Sequence, residues 1–144
     1  MSTRHGPRRA FVEWYEHLIE VRDHAELDAA LDLAAADILD GVSSMAHLFW
    51  DGGATLSVGA AADYAILSFS AADGEPPYFA SVSDRQAHGI VQFDVQSVLS
   101  GFPRWQCIDP ALARAAMHHF FDTGERFSEA EWMSDDDWPT MPWD

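Results

Sequence analysis

The sequence contains no lysine: all eight basic residues are arginine, set against 24 acidic residues, for a formal net charge of -16 over 144 residues. Three of those arginines, Arg4, Arg8 and Arg9, fall within the first nine residues, so residues 10–144 hold five arginines against all 24 acids. Nucleic acid phosphates and anionic lipid headgroups are bound through Lys and Arg, and a surface this acidic repels both. A basic macromolecule is drawn to it instead, with long-range attraction speeding the encounter.

Cysteine is nearly absent too. Cys107 stands alone, which excludes an internal disulfide and leaves a reducing, cytoplasmic setting as the expectation. No stretch approaches the roughly 20 apolar residues of a membrane span, and the polar start is not followed by the apolar segment of a secretory signal. The familiar catalytic patterns are missing as well: there is no G-x-S-x-G, no G-x-x-x-x-G-K and no G-x-G-x-x-G. One cysteine cannot supply the Pro-Cys-x-x-Cys that zinc deaminases pair with a His-x-Glu segment. Cys107 itself sits in the short apolar segment WQCID beside an acid, a setting for core packing and not for an activated thiolate. The histidines at 5, 17, 24, 47 and 88 are scattered, and the adjacent His118 and His119 point to different faces of a helix. No metal, no cofactor and no catalysis are expected.

What the chain does carry is apolar material: 48% hydrophobic residues and six tryptophans, far more than a disordered chain of this charge would hold. At this length one core suffices, so a single domain is expected. Residues 1–9, with Gly6, Pro7 and three arginines, read as a disordered basic leader, and the domain is assigned to residues 10–133. The segment FVEWYEHLIEV (11–21) suits a strand pair or one long strand, with a helix as the alternative. Asp23 and Glu26 make a capping-box-like start for a helix whose inner residues are Leu27, Leu31, Ala34 and Ile38, whose outer face is acidic through Asp28, Asp32 and Asp37, and whose stop is Gly41.

Short segments separated by turn chemistry follow: MAHLFW (45–50), ATLSVG (54–59), DYAILSFS (63–70), YFASV (78–82) and GIVQFDV (89–95). Alternation of Leu56 with Val58, and of Tyr64, Ile66 (or Leu67) and Phe69, predicts antiparallel strands with one buried face, paired to their sequence neighbours. Asp109, Pro110 and Gly124 bracket a second helix with an inner stripe of Leu112, Ala116, His119 and Phe120. The fold class is α+β: an antiparallel sheet of about five to six strands packed against two helices. Residues 134–144 form an acidic tail that holds Asp135, Asp136, Asp137, Trp138 and Trp143.

From about residue 50 onward LSVG (56–59), YAILSFS (64–70), ADGEPPYFASV (72–82), GFPRW (101–105), FFDTGERF (120–127) and EW (131–132) follow one another in an order that resembles the immunity proteins of bacterial polymorphic toxin systems, family one. The helix start DHAELDAALD (23–32) is similar too, so the resemblance spans roughly residues 20–133, with the leader and the tail beyond it. It implies a cytoplasmic antidote that binds a cognate toxin, in a family associated with nucleic-acid deaminase toxins.

Charge and resemblance together give the expected function: an immunity protein that covers the basic surface of a toxin acting on nucleic acid, without chemistry of its own. The partner-binding candidates are Trp132, Asp135, Asp136, Asp137, Trp138 and Trp143, since aromatic anchors and carboxylates are what a basic partner would meet. Two other classes compete: a small-molecule-binding protein or enzyme with a pocket between helix and sheet, and an acidic regulator of a host nucleic-acid-binding protein.

Overall fold

The 11–21 segment folds as a strand pair, β1 (Ala10–Trp14) and β2 (His17–Val21), joined by a two-residue turn in which Tyr15 takes a positive φ of 49°. The computed structural model describes residues 8–39 and 41–139. Asp23 then caps helix α1 (His24–Ala36), its carboxylate accepting from the Glu26 backbone N–H at 2.8 Å, while Glu26 reaches back to accept from the Arg22 N–H at 2.8 Å.

Helix α1 ends earlier than the sequence pattern indicates. It stops at Ala36, and Ile38 is 52% exposed on a short strand, not part of the helix's inner face. Asp37 diverts the chain: its carboxylate accepts from the Trp14 indole at 3.2 Å, and its carbonyl accepts from both the N–H and the hydroxyl of Ser44. These bonds pull the backbone off the helix axis into β3 (Ile38–Leu39), and Gly41, with φ of 79°, serves as the turn into β4 (Val42–Ser43) and not as the helix stop.

A meander of four strands follows: β5 (Ala46–Trp50), β6 (Thr55–Ala60), β7 (Ala65–Ser70) and β8 (Phe79–Val82). The next strand, β9 (Ile90–Val95), does not add to this sheet; it turns through Gln96 and Ser97, both at positive φ, and pairs with β10 (Val98–Pro103). Helix α2 (Pro110–Thr123) begins at the Asp109 cap and ends at Gly124 in the left-handed region, after which β11 (Glu131–Ser134) returns to pair with β8. The main sheet thus has seven antiparallel strands in the order β11-β8-β7-β6-β5-β1-β2, beside the β9–β10 and β3–β4 pairs, and the class is α+β.

Both helices cover one face of the sheet, where Val12, Leu48, Leu56, Leu67, Met117 and Phe120 are fully buried. The β9–β10 hairpin covers part of the other face, burying Met45, Ile66, Val91 and Phe93, and a third cluster joins Ala80, Val82, Trp105 and Met133. The expectation of one buried face therefore fails in β7, where Ala65, Ile66 and Leu67 are all buried because the strand is covered on both sides. The buried stripe of α2 is also rotated relative to expectation, through Ala113, Ala116, Met117, Phe120 and Phe121, with Leu112 and His119 half-buried at its margins.

Candidate partner-binding surface

Alternation along β11 sends its neighbouring side chains to opposite faces. Trp132 packs on the helix-covered core and donates its indole N–H to the Phe127 carbonyl at 2.9 Å. The Arg126 guanidinium lies 3.6 Å from the Phe79 ring centre and 6.0 Å from the Trp132 ring. Met133 goes the other way, into the cluster around Trp105.

After β11 the chain makes a single 3-10 turn, Asp135–Asp137, capped by the Ser134 hydroxyl, which accepts from the Asp136 N–H at 3.3 Å. Tyr78 joins this turn to the loop before β8. Its carbonyl accepts from the Asp135 N–H at 2.8 Å, its own N–H donates to the Asp135 carboxylate at 3.2 Å, and its hydroxyl donates to the Gly74 carbonyl at 2.8 Å. Asp73 and Glu75 flank Gly74, so two acidic loops are tied together through one tyrosine. Trp138 closes the turn by donating its indole N–H to the Met133 carbonyl at 3.0 Å, and it remains 39% exposed.

No cation of the described chain neutralises these carboxylates. Arg9 pairs with Glu20, Arg22 with Glu26, Arg85 with Glu131, and Arg114 with both Asp28 and Asp32. Arg8 and Arg104 donate to backbone carbonyls, and Arg126 is over Phe79. The acidic face expected on α1 is different in kind: Asp28 and Asp32 are bridged to α2 by Arg114, and Asp28 also accepts from His118 at 2.7 Å.

A groove of about 330 Å³ opens beside the turn, between β10 and Trp138, lined by Gly101, Phe102, Pro103, Trp105 and Trp138. The Trp105 and Trp138 rings are 6.4 Å apart. Gln106 and Ser68 also line it, but the Gln106 amide already donates to the Leu67 carbonyl at 2.6 Å and to the Ser68 hydroxyl at 3.1 Å. Trp105 is 3% exposed, and its buried indole N–H has no hydrogen-bond partner among the described residues.

Of the residues singled out from sequence, Asp135, Asp136, Asp137 and Trp138 come together on this surface, Trp132 lies on the opposite face of the sheet, and Trp143 falls outside the described residues. Tyr78, Trp105, Phe102 and Pro103 were not anticipated as site residues. The aromatic residues of GFPRW (101–105) were the available signal, since a tryptophan beside a proline-ended strand must place its N–H somewhere.

A second cavity, about 260 Å³, lies between the helices and the sheet, where a small-molecule site would be sought. Its walls are mostly apolar, with Leu31, Ala34, Val58 and Met117 among them; of its polar lining, the Ser44 hydroxyl donates to the Asp37 carbonyl and Arg114 is held by Asp28 and Asp32. Cys107 is half-buried, and burial pushes its thiol pKa up against the weaker opposing pull of Arg104, the reverse of what a nucleophile needs. Among the described residues no three His, Cys, Asp or Glu side chains are grouped to hold a metal ion, and no helix is long and apolar enough to cross a membrane.

Among protein families, residues 16–134 match the model of immunity protein Imm1. No curated protein matches the chain significantly. The match runs from the end of the first hairpin turn through the last residue of β11, most of the molecule, and the chain belongs to the immunity protein Imm1 family.

Proposed function

We propose that this protein is a cytoplasmic immunity protein that neutralises a cognate toxin acting on nucleic acid, by laying acidic and aromatic surface over the toxin's basic groove. The observation that carries the reading is the Asp135–Asp137 turn, which has no arginine partner in the described chain and is flanked by the exposed aromatics Tyr78 and Trp138. A toxin that engages phosphates does so with Lys and Arg, so a surface complementary to those groups competes with substrate for the same place. Inhibition of this kind needs no chemistry on the inhibitor.

The family match ends at Ser134, one residue before the turn. A recognition element beyond the shared region suits a protein that must distinguish its own toxin from others, because specificity is a difference of affinities set by groups that vary. The choice of a deaminase among such toxins comes from the family resemblance.

Co-expression with the toxin domain encoded by the neighbouring gene tests the proposal. The expected result is a complex that survives gel filtration, protection of the host cell, and loss of deaminase activity on a single-stranded DNA substrate. Neither complex nor protection would sink it; protection with a toxin of unrelated chemistry would keep the immunity role and remove the deaminase.

A further inference from the structure

Strand β10 pairs with β9 on one side and has no strand on the other among the described residues. The Arg104 N–H donates to the Gly89 carbonyl at 2.9 Å, which sets the phase of the ladder. Counting in steps of two, Phe102 with Val91, Ser100 with Phe93 and Val98 with Val95 are the hydrogen-bonded pairs. The pairs between them turn their backbone groups outward. Asp94, opposite Leu99, obeys this: its carbonyl accepts from the Met45 N–H at 2.8 Å, on the far side of β9. Leu99 and Gly101 therefore aim N–H and C=O away from β9, and no described residue pairs with those groups. Pro103, at the next outward position, is where a strand tolerates a missing N–H.

This edge is unguarded. The outer strands of the main sheet, β2 and β11, carry Glu20 and Glu131, each paired with an arginine. Charge of that kind is how free edges are kept from pairing with other chains. Residues 95–103 hold no charged side chain, and Val98 and Leu99 are 62% and 50% exposed. The groove beside Trp138 borders the same edge, with Gly101, Phe102 and Pro103 on one side and Ser68, Ala80 and Trp138 also lining it.

Outward N–H and C=O groups repeating at strand spacing are matched by one kind of occupant, another extended backbone. A second copy of the chain is disfavoured, since each copy brings a net charge of -16. The chain's own residues 139–142 include Pro139 and Pro142, which lack the N–H that pairing uses. A partner of opposite charge has neither handicap.

We propose that an extended segment of the toxin adds as a strand to the free edge of β10, its backbone pairing with Leu99 and Gly101 and its apolar side chains meeting Phe102 and Trp138. This assignment rests on the reading of the protein as the inhibitor of a basic toxin, and it names the mode by which the toxin is held.

Hydrogen exchange of the full-length chain, read by ¹H–¹⁵N NMR, tests it. In the free protein the Ser100 and Phe102 amides should exchange slowly and those of Leu99 and Gly101 fast; the toxin domain should slow the latter two by at least about a hundredfold. Leu99 and Gly101 amides already slow in the free protein overturn the proposal. Loss of that protection on removing residues 140–144 would make the chain's own terminus the occupant, and its growth with protein concentration would make it a second copy. A complex that leaves both amides fast removes β10 from the interface and keeps the inhibitor role, whereas the absence of any complex removes both.

A pair of variants separates backbone from side chain. Leu99→Pro deletes an outward N–H and no bond to β9, so it should weaken toxin binding by at least about tenfold with the far-ultraviolet spectrum unchanged. Leu99→Ala keeps that N–H and should stay within about threefold of wild type. Equal losses in the two variants would assign the contact to the leucine side chain and overturn strand addition.

Discussion

The Phe93 ring rests on Gly59: a methyl group on Gly59 would lie 2.8 Å from the ring, closer than any ordinary carbon contact. Phe93 is 1% exposed and stands at the centre of the cluster that holds the β9–β10 hairpin against the sheet. A rigid, buried ring has nowhere to swing, so the hairpin itself must move. Gly59→Ala should therefore destabilise the fold by about 1–3 kcal/mol in urea unfolding. Adding Phe93→Leu should recover part of that loss, and strictly additive effects in the double-mutant cycle would disprove the contact's importance.

Arg114 ties the two helices together through Asp28 and Asp32, with His118 also on Asp28. Partial burial acts to raise the Asp28 pKa, but the hydrogen bonds from His118 and Arg114 outweigh it and hold the carboxyl below its ordinary value. A carboxylate held low in the fold contributes stability that is present above its unfolded pKa, near 4, and is lost as pH falls through the lower folded value. The unfolding free energy of the wild type should drop below about pH 4, and the drop should be smaller in Asp28→Asn. Because the Asp28 and Asp32 side chains are 38% and 70% exposed, solvent screens the pairs, and Arg114→Met should cost only about 1 kcal/mol at neutral pH.

The signals that were legible in the sequence are those set by local chemistry. The Asp23 and Asp109 caps, the Gly124 stop and the alternation of Leu56 with Val58 in β6 all depend on residues a few positions apart, and all stand where the pattern puts them. The early end of α1 was hidden because it depends on Trp14 and Ser44 reaching Asp37 from other elements. The β9–β10 hairpin was half visible: β9 was read, but its partner β10 carries Gly101 and Pro103, which look like loop chemistry, and its turn uses Gln96 and Ser97 where Asn-Gly would have announced it. At the surface, the acidity of residues 135–137 and the presence of Trp138 were legible from composition, but not the turn they form. The pairing of β11 with β8, which turns Trp132 inward and brings Tyr78 to Asp135, was not, since it joins residues about fifty positions apart.

That inward placement makes Trp132 a test of the surface assignment. Its ring packs on the core and its indole N–H is held by Phe127. Trp132→Ala should lower stability by about 2–4 kcal/mol, measured as a fall in the urea midpoint, and any loss of toxin affinity should track the unfolded fraction. A well-folded Trp132→Ala protein with specifically weakened binding would place the interface on the helix side instead.

His47 stands directly across from Glu13 on the neighbouring strand, with its Nδ1 2.6 Å from the Ser57 hydroxyl. Burial lowers its pKa below the ordinary value, and the nearby Glu13 charge, acting the other way, is the weaker influence. Folded His47 thus resists protonation that the unfolded chain accepts freely, so its contribution is complete above about pH 6.5 and declines as pH falls from there toward the folded pKa, below which it is gone. In chemical denaturation between pH 7 and 5, the wild type should lose stability relative to His47→Gln, by at most about 1.4 kcal/mol per pH unit. Parallel pH profiles for the two proteins would mean that His47 is not desolvated.

Salt dependence separates attraction at a distance from contact. The turn carboxylates Asp136 and Asp137 are exposed and have no arginine partner in the described chain, so their field reaches into solvent. Screening sets in over about 8 Å at physiological ionic strength. The rate of association with the toxin should fall steeply between 50 and 500 mM salt, while dissociation, governed by buried anchors, should change little. Asp136→Asn/Asp137→Asn should flatten the association slope, and stopped-flow measurement of the association rate checks it. A slope as steep in the double variant as in the wild type would assign the steering to acidic groups elsewhere on the molecule.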